Sequence, residues 1–222
     1  MSSGTLYRLS GCLLVLSGLL SLIGTFLIPS GIGEGVAFYT NALTVAGFLL
    51  GFLSVLLALL GLPGLYVRQA NKAGVLGLVG VLMAFVGFAF LDLSHSFVNF
   101  AIWPALAEHA KTAPIIASAG DLDVLMQSGP YGMIFPLAVI ISILGSILFG
   151  VAIIRANILP RWVGVIFIVA ALTPLLSFVL PGLLGVLTLD APYVALACGG
   201  IALLTGTSES VPQTSFATNR SS

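Results

Sequence analysis

The chain has 222 residues and a mass of 22.9 kDa; 59% of the residues are hydrophobic, only 6% are charged, and the mean hydropathy is +1.21. A soluble domain carries about 25% charged residues, so seven basic and seven acidic side chains cannot cover this surface, and the composition demands lipid contact. The net charge is zero, which excludes the basic footprint of a nucleic-acid binder.

Apolar runs of about 20 residues predict membrane-spanning helices, because only a helix satisfies its own backbone in lipid. Six runs are read in chain order: Leu9–Ile28, Ala42–Leu62, Ala73–Phe97, Tyr131–Ile154, Trp162–Leu184 and Pro192–Gly206. The predicted fold class is therefore all-α, a six-span transmembrane helical bundle with short outer interfacial helices. Residues 1–206 form the membrane domain, and the Ser/Thr-rich stretch 207–222 is expected to be a disordered cytoplasmic tail.

The first run has full spanning length and no Ala-x-Ala site behind it, which argues against a signal peptide. Leu9-Ser10-Gly11-Cys12 resembles a lipoprotein cleavage box but precedes the apolar run rather than following it. Cys12 and Cys198 lie in apolar stretches without CxxC spacing, so neither a disulfide framework nor a zinc site is expected. Small residues four apart mark helix-packing faces: Gly47 and Gly51, Gly80 and Ala84, Ser142, Ser146 and Gly150, Ala195 and Gly199. The long connection 98–130 is expected to hold two interfacial helices, one over Pro104–Lys111 and one over Leu122–Gln127 capped by Asp121. Pro174 should kink the fifth span and free the carbonyl of Ala170. Asp190 precedes Ala191-Pro192 as an N-cap would precede a first-turn proline.

Orientation follows from the basic residues. Arg8, Arg68, Lys72, Arg155, Arg161 and Arg220 fall on one side of the six-span plan, and Lys111 alone falls on the other. Both termini are thus expected in the cytoplasm. Aromatic rings that prefer headgroup depth fit the plan: Tyr7, Tyr66 and Trp162 at inner boundaries, Tyr39, Trp103, Tyr131 and Tyr193 at outer ones.

No sequence motif carries chemistry outright. Gly31-Ile32-Gly33-Glu34-Gly35 follows no strand, so a phosphate cradle is not supported. Two histidines in all cannot build a three-histidine zinc site, and no metal or cofactor is expected. The one constellation is Asp92-Leu93-Ser94-His95-Ser96. Asp92 and His95 share a helix face. Asp92 lies 18 residues beyond Gly74, about 27 Å along a helix, hence near the outer edge of the membrane. The pair reads either as a hydrated helix end or as a site for a proton, a metal or a polar headgroup. Glu108 and His109, on the outer connection, complete the candidate polar site if that segment folds over the bundle.

Two stretches, Tyr7-Arg8-Leu9-Ser10-Gly11 and Leu159-Pro160-Arg161-Trp162-Val163-Gly164, resemble polytopic bacterial membrane-protein families of unknown function. The resemblance implies a multi-pass protein of the bacterial inner (plasma) membrane, and it implies no catalytic residue. The partners expected are the bilayer, a lipid or small-amphiphile ligand, and another membrane protein or a second copy. The favoured reading is a non-catalytic accessory or amphiphile-binding protein. A small transporter or channel is the alternative. A membrane enzyme at the outer face is the third reading, and it needs Asp92, His95 and His109 to converge.

Overall fold

The computed structural model describes residues 3–29, 35–109, 111–114, 129–180 and 182–206. All regular structure among them is helical. The helices are α1 (Ser3–Leu27), α2 (Val36–Tyr39), α3 (Ala42–Phe88), α4 (Ser94–Phe97), α5 (Trp103–Glu108), α6 (Gly129–Ala156), α7 (Arg161–Leu172) and α8 (Gly182–Gly206). Two π-helical segments, Ala89–Leu93 and Val98–Ile102, join α3, α4 and α5 into one continuous rod. A 3₁₀ segment, Thr173–Phe178, continues α7. Four helical stretches are long and apolar enough to cross a membrane: 4–27, 42–108, 132–156 and 182–206.

The second stretch folds back on itself. Gly74 has φ 58°, a left-handed backbone that glycine adopts without strain. It divides α3 into two arms, 42–73 and 75–88. The arms run antiparallel: Phe52 stacks near Phe97 and Phe100, with ring centroids 6.0 and 5.0 Å away.

The packing order is a closed ring: α1, first arm, second arm, α6, α7, α8, then α1 again. Leu14, Val55, Leu62, Leu65, Phe149, Ile153, Val163 and Leu196 fill its centre and are almost wholly buried. The outside is apolar as well, with Leu19, Leu60, Leu82, Ile140, Val169 and Leu184 exposed. That distribution, apolar inside and out, suits a protein solvated by lipid.

Two of the expected small-residue faces, at Gly47 and Gly80, do form close backbone approaches, whereas Gly51 has only Ser96 Oγ nearby. A methyl group added at Gly80 would stand 2.5 Å from the Phe149 backbone nitrogen, so the second arm and α6 touch backbone to backbone. Gly47 meets the carbonyl of Gly24 in the same way, joining the first arm to α1. The buried Ser54 hydroxyl donates to the Ser17 carbonyl at 2.8 Å across that seam.

One end of the ring gathers the basic segments. Arg68 donates to the Gly206 carbonyl at 2.9 Å and lies over the Tyr7 ring at 5.1 Å. Ala73 packs with Ala152 and Ala156 there. The α6–α7 turn closes on Asn157 at φ 51°, whose side-chain oxygen accepts from Arg161 at 3.1 Å.

Several boundaries differ from the sequence expectation. The first arm runs on past Pro63 and through Tyr66–Lys72, leaving helical geometry only at Gly74, and Gln69 is buried rather than solvated. The third run continues to Glu108, so the helix over Pro104 is the end of that rod and not a separate interfacial piece. The short α2 packs against it, with Tyr39 and Ala107 buried together. Asp121, the helix Leu122–Gln127 and the tail 207–222 lie outside the described residues. The fifth run leaves α geometry at Thr173. The carbonyl of Ala170 accepts the Thr173 hydroxyl at 2.8 Å, which replaces the N–H that Pro174 lacks. The last helix begins at Gly182, ten residues before Pro192, and Asp190 is an interior helical residue rather than a cap.

Candidate functional site

In the half of the ring away from the basic end, the lining positions are too small to fill the centre. Ser21 and Gly24 of α1, Gly47 and Gly51 of the first arm, Ser142 and Ser146 of α6, and Ala171 of α7 surround a cavity of about 330 Å³. Its larger walls are apolar: Phe88, Leu91, Phe135, Val139, Ile143, Leu175 and Leu189. This is the lower end of the size range of small-molecule sites, roughly 300–1,000 Å³. Phe88 and Tyr193, with ring centroids 5.7 Å apart, are buried between the cavity and the packed core.

The polar groups converge on one side. Asp92 and His95 both line the cavity. Asp92 belongs to the first π-helical segment, where the wider turn shifts side chains out of α register. The Ser94 hydroxyl donates to the Phe90 carbonyl, and the Asn99 amide donates to the His95 carbonyl at 2.8 Å. Those bonds occupy carbonyls around the irregular turns. The partner of the Asp92 carboxyl is the Tyr193 hydroxyl, which reaches it from α8.

Asp190 lines the same cavity and stands near enough to Asp92 to interact with it electrostatically. It is 6% exposed. The Ser21 hydroxyl donates to its Oδ1, and Thr25, one turn along α1, faces the same carboxyl. Its Oδ2 is buried and accepts no hydrogen bond. The site therefore holds two acidic groups from different segments, met by the hydroxyls of Tyr193, Ser21 and Thr25.

Depth follows from helix geometry. Ser21, Asp92 and Asp190 lie 13, 18 and 16 residues along their helices from Arg8, Gly74 and Gly206. Those distances are about 20, 27 and 24 Å, towards the far side of a hydrocarbon core of about 30 Å. Acidic side chains at such depth face protein or water-filled space and seldom lack a role.

The four residues singled out from sequence separate into two groups. Asp92 and His95 belong to the cavity. Glu108 and His109 are exposed at the end of the rod, 13 and 14 residues beyond His95, about 20 Å away along a straight helix. Asp92, His95 and His109 thus do not converge. Among the described residues no three His, Cys, Asp or Glu side chains group to hold a metal ion.

Tyr193, Ser21 and Thr25 escaped the sequence reading as site residues, and Asp190 is read there as a cap in preference to a site. Asp190 looked like a cap and Tyr193 like a boundary anchor, because the last helix was read as starting ten residues late. Both rather share one face, three residues apart, inside α8. A signal existed in the first run as well: Ser17, Ser21 and Thr25 repeat every fourth residue, a polar stripe on an otherwise apolar helix.

Comparison with known protein families, with characterised proteins and with solved structures finds no match to this chain.

Proposed function

We propose that the chain is a multi-pass membrane protein that binds a small amphiphile within the bilayer, without catalysing a reaction. In this reading six segments cross the membrane: α1, the two arms of α3, α6, α7 with its 3₁₀ extension, and α8. The basic end of the ring faces the cytoplasm of a bacterial cell, and the cavity lies in the outer half of the plasma membrane. The carrying observation is the cavity itself, about 330 Å³ with apolar walls and polar groups gathered on one side. Such a space matches a ligand with a compact hydrocarbon body and one polar end.

Gly51 offers a direct test, because it lines the cavity and only Ser96 Oγ, at 3.6 Å, lies within contact of a methyl group added there. The neutral probe 1-adamantanol should bind saturably to the protein in lipid nanodiscs, beyond its partition into empty discs. Gly51→Leu, which projects a side chain into the space, should abolish that binding while the fold persists. Equal binding by both proteins, or no wild-type binding of the alcohol or of its amine and carboxylate analogues, refutes the reading.

A second reading, transport, is favoured by one feature. The break in α7 places Pro174 and Ser177 on the cavity. Broken helices at a binding site are a recurring element of transporters. Uptake of the probe into proteoliposomes, set against binding in nanodiscs, separates the two.

A further inference from the structure

The hydrogen-bonding inventory of the cavity is asymmetric. Both acidic groups are supplied with donors from the protein, Tyr193 for Asp92, and Ser21 on Oδ1 with Thr25 facing the same carboxyl for Asp190. Asp190 Oδ2 is the exception: it is buried, it accepts nothing, and Asp190 is 6% exposed. Buried acceptors in native proteins have partners, so a carboxyl with one unpartnered oxygen, on a residue that lines the cavity, keeps acceptor capacity for a further donor. Among the described residues no lysine or arginine lines the cavity, and His95 is the one basic side chain that does. Two acidic groups close enough to interact would both be favoured in their charged form by a positive charge beside them.

We propose that the ligand is an organic amine with a compact apolar body, and that the Asp190 carboxyl accepts its N–H while Asp92 lies close by as a second acidic group. The proposal rests on the amphiphile-binding reading and names the ligand's charge. An organic cation fits better than a bare metal ion. Hard cations such as calcium take six to eight oxygen ligands, and the remaining walls here, Phe135, Val139, Ile143 and Leu175, are apolar. Those walls suit the hydrocarbon part of an amine.

The test uses three probes of one shape: 1-adamantylamine, 1-adamantanol and 1-adamantanecarboxylate. Binding of each to the full chain in nanodiscs is measured by equilibrium dialysis, with empty nanodiscs subtracted. The amine should bind at least about tenfold more tightly than the alcohol, the factor expected for a hydrogen bond to a charged group. The carboxylate should not bind. Asp190→Asn should reduce the amine to the affinity that the alcohol shows for the same variant, with folding checked by circular dichroism and gel filtration.

An alcohol that binds as tightly as the amine overturns the proposal and leaves the amphiphile-binding reading standing. Failure of all three probes to bind the wild type overturns both. An amine preference that survives in folded Asp190→Asn overturns the assignment of Asp190. The wild-type comparison of the three probes needs no variant, so it decides the matter even where Asp190→Asn does not fold.

Discussion

Gly80 and Gly51 look alike in sequence, each belonging to a pair of small residues four apart, yet substitution by alanine should affect them in opposite ways. At Gly80 the added methyl would lie 2.5 Å from the Phe149 nitrogen and 2.9 Å from its Cα, against 3.4 Å for ordinary contact. The neighbour is backbone, so no side chain can swing aside. The second arm and α6 would have to part by about 0.9 Å, the difference between 3.4 and 2.5 Å. Overpacking of this kind costs about 1–3 kcal/mol. At Gly51 the methyl finds one atom, Ser96 Oγ at 3.6 Å, and otherwise open cavity. Gly51→Ala should therefore stay within about 0.5 kcal/mol of wild type, as substitutions free of packing conflict do. Reversible unfolding by sodium dodecyl sulfate in mixed micelles, followed by far-ultraviolet circular dichroism, measures both. A Gly80→Ala protein as stable as wild type, or one no less stable than Gly51→Ala, would refute the backbone contact between the second arm and α6.

Three further outcomes are expected. Ser21→Ala removes the donor to Asp190 Oδ1 and leaves a buried carboxyl short of another partner, so the same unfolding assay should show a loss of about 1–3 kcal/mol; an unchanged midpoint would mean that the Ser21 bond contributes nothing. Arg68→Ala loses the bond to the Gly206 carbonyl and the contact with the Tyr7 ring; a loss of about 1 kcal/mol is expected, with faster proteolysis after Gly206, and proteolysis at the wild-type rate would speak against the clamp. In a background where Cys12 and Cys198 are serine, Ser3→Cys should react with a membrane-impermeant maleimide only from the cytoplasmic face, and Glu108→Cys only from the opposite face. Labelling of both from one side would overturn the orientation.

The all-helical character, with several helices long and apolar enough to cross a membrane, was legible in composition, because long uncharged runs in a chain with 6% charged residues favour helices that satisfy their own backbone. The gathering of one set of ends was legible as well: Arg68, placed on one side by charge, and Tyr7, placed on the same side as an aromatic anchor, do meet at one end of the ring. The break at Pro174 followed from the missing N–H of proline. Helix ends were less legible, since apolar runs show where lipid is and not where backbone hydrogen bonding stops. Asp190 ended one predicted loop, and only the helix beginning at Gly182 turned it inward. The cavity was not legible at all. Asp92 drew attention as an isolated acid in an apolar run, but its partners come from α8, and the neighbouring acid is held by α1, 169 residues away in sequence. Single-chain periodicity records which face of a helix is polar; which helix that face meets depends on where backbones can approach, at Gly24, Gly47 and Gly80, and that is decided only when the ring closes.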